Sequence, residues 1–247
     1  LCPYRKQESV KIYPLSHNNG ERTIKKEHVM ARVLCIGDLH LPATHTKYLD
    51  FIRKLKRKYK TDTTVFIGDV LDHHSISFHQ KNPELPSAID EHKQTVKGMK
   101  AWKKTFPEAV ICIGNHDERV HRLSSAAGIP SMYLVDYSDL YDTPNWKWDH
   151  SFIIDNVMYI HGTGAGGQRP AYSAAVKLGQ SIVMGHVHSI AMLQVLQSPT
   201  QRIFGMNVGC GVDKNHRAMN YAKNHLNKPV ISAGIIIDGK PILELLE

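Results

Sequence analysis

The sequence predicts an α/β fold with two β-sheets, on three observations. Apolar runs alternate with helical patterns from residue 31 to 113. Each of those runs closes on a cluster of Gly, Asp, Asn and His, and the second half of the chain is built of strand pairs joined by short turns. The order strand, helix, strand, helix, strand implies a parallel sheet, and the later hairpin patterns imply a second, largely antiparallel one. At 247 residues, 42% of them hydrophobic, the chain can bury one large α/β core.

Taken in order, residues 1–29 lack apolar periodicity and carry Pro3, Pro14 and the run His17 to Gly20. They read as an N-terminal arm or linker, or as the end of a domain further upstream, leaving 30–247 as the folded domain. The run "ARVLCI" then ends in "GDLH". Tyr48, Ile52, Leu55 and Tyr59 follow helical spacing, so 45–60 form an amphipathic helix. "TTVFI" ends in "GDVLD", a polar, His-rich loop follows at 73–87, and a second helix over 88–105 puts Ile89, His92, Val96, Met99 and Trp102 on one stripe. "AVICI" ends in "GNHD". Residues 120–150 read as mixed helix and loop, a candidate partial lid. "SFIIDNVMYIHG", "IAMLQVLQ" with "QRIFGMNVG", and "ISAGIIIDGKPILELLE" read as hairpins, and "SIVMGHVH" as a strand ending in histidines. Ligands of open parallel sheets bind outside the carboxyl ends of the strands. The three clusters therefore belong at one edge.

Composition excludes several classes. No apolar stretch approaches the roughly 20 residues of a membrane span, and the polar, basic N-terminus is not a secretory signal. The four cysteines form no CxxC pair, and Cys35 and Cys112 lie inside strand runs. That usage fits buried thiols in a reducing, intracellular compartment. The net charge is +8, and residues 44–60 hold seven Lys or Arg against one Asp. Two readings of that helix stay open: a solvated face, or contact with an anionic partner such as nucleic acid.

In "YIHGTGAGGQRP", Gly162, Gly164 and Gly167 fit G-x-G-x-x-G behind an apolar run. A dinucleotide site also needs an acidic residue about 20 positions on to hold the ribose. His186 and His188 stand there instead. No dinucleotide redox cofactor is expected, and the glycines are read as letting backbone N–H groups and Arg169 approach a substrate phosphate.

The strand-end residues carry the chemistry: Asp38 and His40; Asp69 and Asp72; Asn115, His116 and Asp117; His161; His186 and His188. One strand-end His or Asp is more often a cap than a ligand. Together they offer carboxylate, imidazole and amide donors without thiolate, a set suited to Mn, Fe or Zn in five- or six-coordinate sites. Two such ions about 3.5–4 Å apart need a shared carboxylate.

The motifs D-x-H (38–40), G-D-x-x-D (68–72), G-N-H-D (114–117), a strand-end His (161) and G-H-x-H (185–188) follow in that order. The sequence resembles the calcineurin-like metallophosphoesterase superfamily over about 31–240, and its wording looks closest to uncharacterised phage and bacterial phosphoesterases. The resemblance implies a four-layer α/β/β/α sandwich with two mixed β-sheets and a dinuclear metal site at the strand carboxyl ends. Asp38, His40 and His188 would hold one metal, Asn115, His161 and His186 the second, and Asp69 would bridge them. The ions would be manganese, with iron or zinc as alternatives. His116 would contact the phosphate and protonate the leaving oxygen, Asp117 would fix its ring, and Asp72 would orient a ligand. The implied activity is metal-dependent hydrolysis of phosphate esters, as a phosphodiesterase or nuclease on nucleic acid or nucleotides. The alternatives are a phosphomonoesterase or protein phosphatase, and a catalytically silent scaffold of the same fold. Arg119, Arg122 and Arg169 are candidate contacts for substrate. Two departures matter: the arginine that follows G-D-x-x-D in phosphoprotein phosphatases is replaced by His73, and Cys210 stands where relatives have a serine. The cytoplasm of a bacterial or phage-infected cell is the expected location.

Overall fold

The computed structural model describes residues 30–78, 84–217 and 226–247. The N-terminal arm and part of the His-rich loop lie outside the described residues.

Sheet one has the strand order β11-β10-β1-β2-β3-β4. Its centre is the expected parallel unit: β1 (Arg32–Ile36), β2 (Thr63–Phe66) and β3 (Ala109–Cys112). α1 (Tyr48–Tyr59) and α2 (Ala88–Thr105) make the crossovers. β4 (Trp146–Asp149) extends the sheet in parallel beyond β3, so the 120–150 segment, expected to be helix and loop, also contributes a strand. The hairpin of β10 (Ser232–Ile237) and β11 (Lys240–Leu245) closes the other side antiparallel to β1.

Sheet two has the order β5-β6-β7-β9-β8. It comprises β5 (Ser151–Ile154), β6 (Val157–Ile160), β7 (Ser181–Met184), β8 (Ala191–Gln197) and β9 (Arg202–Val208). The sequence suggested a largely antiparallel sheet, but β6, β7 and β9 are parallel. α5 (Pro170–Leu178) is the crossover that makes β6 and β7 parallel, and β9 is parallel to β7 because β8 runs antiparallel at the edge and the chain returns between them. Between β9 and β10 no parallel relation arises, because β10 belongs to the first sheet. Both sheets are therefore mixed.

Strand alternation sorts the core into layers. On β1, Leu34 and Ile36 join Tyr48, Ile52, Phe66, Met99 and Trp102 under α1 and α2. Val33 and Cys35 face the other way, against Val65, Ile67, Tyr159, Val183 and Met206 between the sheets. Ala171 and Ala175 of α5 pack on Ile182 and Met184 on the far side of sheet two. These three apolar layers make the α/β/β/α sandwich.

α1 buries Tyr48, Phe51, Ile52 and Leu55 and turns its cations outward. Its last turn lies at the amino ends of the strands, where the Arg32 guanidinium donates to the carbonyls of Tyr59 at 2.6 Å and Lys60 at 3.2 Å. Several cations are used inside the fold: Lys58 pairs with Glu244 at 2.6 Å, Arg53 bonds Thr105 and Asp50, and Lys56 bonds the Thr105 carbonyl. The C-terminal half of the basic helix thus sits at the edge opposite the strand-end clusters. At its start, the fully buried Tyr48 hydroxyl accepts from Gly37 N–H and donates to the Ser232 carbonyl. These two hydrogen bonds fix the turn leading to Asp38.

Candidate metal centre

The strand-end residues converge at the carboxyl edge. Asp38 and His40 follow β1, Asp69 and Asp72 follow β2, and Asn115 and His116 follow β3. His161 follows β6, and His186 and His188 follow β7. Asp38, His40, Asp69 and His161 form a buried floor, while Asn115, His116, His186 and His188 are half-buried around it. Three of these residues hold left-handed backbone angles without being glycine: His40 at φ 48°, Asp69 at 44° and His186 at 65°. Such conformations cost about 1–3 kcal/mol each and persist where surrounding structure over-determines them. Glycines make room for the carboxylates. A Cβ at Gly114 would lie 2.2 Å from Asp69 Oδ1, and one at Gly185 would lie 2.2 Å from Asp38 Oδ1.

Three groups of donors among the described residues have their ligand atoms within 4.8 Å of one another: His40, Asp72 and His116, and two further sets, Asp38, His40, Asp69 and His188, and Asp69, His161 and His186. Asp69 belongs to both of the latter. His188 Nε2 lies 3.0 Å from Asp38 Oδ2 and 3.1 Å from His40 Nε2. His161 Nε2 lies 3.2 Å from Asp69 Oδ2, 3.1 Å from Asn115 Oδ1 and 3.2 Å from His186 Nδ1.

The hydrogen-bond partners show what these atoms have to offer. His161 Nδ1 donates to the Ile67 carbonyl at 2.9 Å, which leaves Nε2 as a lone pair. His40 Nδ1 donates to Asp72 Oδ1 at 3.0 Å, which leaves its Nε2 likewise. Carboxylate, amide and imidazole atoms thus face one another at about 3 Å, an arrangement that needs positive charge among them, whether a proton on the rings or a cation. The electrostatics agree. Burial works against a charged His161, yet the carboxylates of Asp69 and Asp38 overcome it and push the ring up to about 10. Burial also works against an ionised Asp69, but His161, His116 and His40 hold its carboxyl well below the usual range. The residues fit a divalent cation, and Asp38, His40, Asp69, Asn115, His161, His186 and His188 could hold it.

His116 stands at the rim. Its Nδ1 lies 2.9 Å from the Asp72 carbonyl and 3.1 Å from Asp72 Oδ1, and its backbone N–H donates to Asp69 Oδ1 at 2.8 Å. The ring's partner is therefore Asp72, not Asp117 as expected. The Asp117 carboxylate is turned inward, accepting from Leu71 N–H and Gly114 N–H at 2.9 Å each, and braces the turns that carry Asp69 and Asn115. Burial, then the Asp69 charge, raises its pKa. Burial also works to raise Asp72, but the His116 and His40 N–H groups hold it well below the usual range. Burial opposes a charged His116 too, and the Asp69 and Asp72 carboxylates outweigh it and raise its pKa.

Arg119, expected as a substrate contact, is buried against this ring. It donates to His116 Nε2 at 3.0 Å and to the carbonyls of Asp72 at 2.8 Å and His73 at 3.1 Å. Its spacing of three residues from His116 on one helical turn was the available signal. Arg122 is exposed on α3 (Arg119–Ala126), its guanidinium 5.5 Å from the ring centre of Phe78, itself 58% exposed. Arg169 is exposed just before α5, and among the described residues no hydrogen bond or ion pair joins it to the cluster. His73, in place of the phosphatase arginine, bonds the His116 carbonyl and the Tyr141 hydroxyl, a bracing role. Cys210 is a buried thiol beside the His188 carbonyl.

No helix among the described residues is long and apolar enough to cross a membrane. The glycine-rich loop does lie in a parallel β6-α5-β7 unit, but its strand delivers His161 to the cluster. No curated protein sequence matches the chain. Among solved structures, a metallophosphoesterase from Sphaerobacter thermophilus is 16% identical with a TM-score of 0.44, over 88% of each chain. Vacuolar Protein Sorting 29 from Cryptosporidium parvum is 14% identical with a TM-score of 0.43, over 87% of this chain and 96% of that one. The nuclease MPE of Pseudomonas putida is 11% identical with a TM-score of 0.37, over 86% of each. The family model for calcineurin-like phosphoesterases matches residues 31–190, the span that carries every residue of the cluster, and the chain belongs to that family.

Proposed function

We propose that the protein is a phosphodiesterase that uses two divalent cations, manganese in the first instance, on nucleotides or nucleic acid. One observation carries the reading: Asp69 is common to two complete donor sets, with His116 held beside them. A scaffold that had lost catalysis would have no need to keep seven donors and three strained backbones.

Bound cations supply Lewis acidity at the phosphoryl oxygens and acidify a water nucleophile. The chain does the rest. Asp38, His40 and His188 form one cradle, Asn115, His161 and His186 the other, and the Asp69 carboxylate spans both. The Asp72 carboxylate fixes the His116 ring with its Nδ1–H inward, and Arg119 borders its Nε2. As the bond from phosphorus to the leaving oxygen breaks, its electron pair stays on that oxygen, and His116 Nε2–H supplies the proton. A single acid suits an ester with an alkoxide leaving group, which needs that proton.

The preference for nucleotides rests on Arg122 over Phe78, an exposed guanidinium and aromatic ring on which a base can stack, and on Arg169 as a contact for a flanking phosphate. The basic end of α1 does not support it, since it lies at the opposite edge. The test is a panel with Mn²⁺: bis-p-nitrophenyl phosphate, single- and double-stranded DNA, RNA, cyclic nucleotides and dinucleotides, a phosphopeptide and a phosphomonoester. Diesters should turn over fastest. A preference for the phosphopeptide or the monoester overturns the substrate reading.

A further inference from the structure

We infer that Arg119 is a catalytic residue that changes partner during turnover, leaving His116 Nε2 for an oxygen of the bound phosphoryl group. The inference rests on the phosphoesterase reading and adds a group to it.

The geometry points there in three steps. The His116 ring is held from both sides, by Asp72 on Nδ1 and by Arg119 on Nε2 at 3.0 Å. A guanidinium has only donors, so the Nε2 it touches is an acceptor. The nitrogen that must pass a proton to the leaving oxygen is thus already occupied by a donor. Proton delivery requires Arg119 to move off. Nε2 then takes a proton from a solvent hydronium, leaving water and an imidazolium, and gives it to the departing oxygen, while the attacking water releases its own proton to solvent.

The arginine is built for a short movement. Its other nitrogen, Nη1, stays on two backbone carbonyls, those of Asp72 and His73. With that end anchored, a small rotation about the anchor carries Nη2 away from the ring. His116 borders the donor cluster: its backbone N–H is bonded to Asp69 and its ring centre lies 4.3 Å from that of His40. Nη2, 3.0 Å from that ring, is therefore one side chain away from where a phosphoryl group would be held, and that group would offer an anionic acceptor in place of the neutral Nε2. Charge-assisted bonds to phosphate are stronger than a bond to a neutral ring nitrogen, so the exchange runs downhill when substrate enters. The free protein keeps the acid capped, and the ester uncaps it.

A residue that only oriented His116 would produce a different pattern from one that touches phosphate, and leaving groups separate the two. The metal-loaded wild type, Arg119→Ala, Arg119→Lys and His116→Ala are compared on two diesters. Bis-p-nitrophenyl phosphate expels a phenolate that needs no proton, and a dinucleoside monophosphate expels an alkoxide that does. Arg119→Ala should lose about 10- to 100-fold in kcat/KM on both, with Lys restoring part of it through charge. His116→Ala should lose on the dinucleotide alone. If Arg119→Ala shows the leaving-group pattern of His116→Ala, the arginine acts only through the ring and the inference fails. A readout without turnover uses the wild type: ¹⁵N NMR of the histidine ring nitrogens during titration with inorganic phosphate. The His116 Nε2 signal should move as phosphate draws Arg119 away, and an unmoved signal under saturating phosphate overturns the exchange. Should the wild type hydrolyse neither diester, the phosphoesterase reading falls, while the NMR titration still decides the arginine's behaviour.

Discussion

One oxygen of Asp72 lies 3.0 Å from His40 Nδ1 and 3.1 Å from His116 Nδ1. A single carboxylate atom therefore sets the proton position of a proposed metal-binding ring and of the proposed acid. Asp72→Asn should act on both. Loss of a partner that orients a ligand typically costs 10- to 100-fold in metal affinity, and turnover should fall further than metal occupancy explains. Titration with Mn²⁺ followed by assay at saturating metal separates the two effects. Full activity restored by excess metal would leave His116 independent of Asp72.

His116→Ala removes the acid while leaving all seven cation donors in place. Hydrolysis of alkyl diesters should fall by about 10²- to 10⁴-fold, the usual contribution of a general acid. Elemental analysis should find the metal content of the wild type. Equal turnover of an alkyl diester by wild type and mutant rules out the acid role.

Asp69→Asn strips the shared donor of its charge. Both donor sets contain it, so the mutant should lose metal from both and lose activity with it. Two equivalents of metal retained per chain, measured by elemental analysis, contradict the bridge. The wild type should also melt at lower temperature after chelation, because a cation that binds only the folded state adds about 2.7 kcal/mol at 100 times its Kd.

Glycine substitutions report on packing around the carboxylates. Gly114→Ala and Gly185→Ala push a methyl into Asp69 Oδ1 and Asp38 Oδ1, each 2.2 Å away, and should weaken metal binding and lower the Tm. Gly166→Ala, with nothing within 4 Å of its added carbon, should leave both unchanged. Wild-type metal affinity in Gly114→Ala shows that Asp69 has room to retreat.

The metal-free protein should be stable over a narrow pH range. Asp69 and Asp72 titrate lower folded than unfolded, so their contribution is present above about pH 4 and fades as acid protonates them. His161 titrates higher, at about 10, so its contribution is present below about pH 6.5 and fades as pH rises toward 10. Urea unfolding across pH 3 to 10 should show both declines, and Mn²⁺ should abolish the alkaline one by taking the proton's place. An alkaline decline that persists with metal bound places its origin elsewhere.

The helices and the strand ends were legible because their signals are local. α1 follows its apolar stripe, while α2 turns Met99 and Trp102 inward as read but buries Glu91 and Thr95 and leaves Ile89 exposed. β4 was hidden because "WKWD" is four residues long, with only Trp146 deeply buried. Parallel pairing in sheet two was hidden because it depends on which strands neighbour each other across α5, which no hairpin pattern records. The partner of His116 was misread for a related reason. Asp117 is its neighbour in the chain, but successive residues of this tight turn point apart, one to the rim and one into the core. Asp72 arrives from another strand, 44 residues earlier, and only the assembled edge brings it near.

The donors divide between the two sheets: Asp38, His40, Asp69 and Asn115 stem from the first, His161, His186 and His188 from the second. A ribosome making this chain delivers the first four well before the last three. A nascent chain therefore cannot complete either cradle until β7 has emerged and the sheets have docked. A product truncated before β7 would lack donors of both cradles.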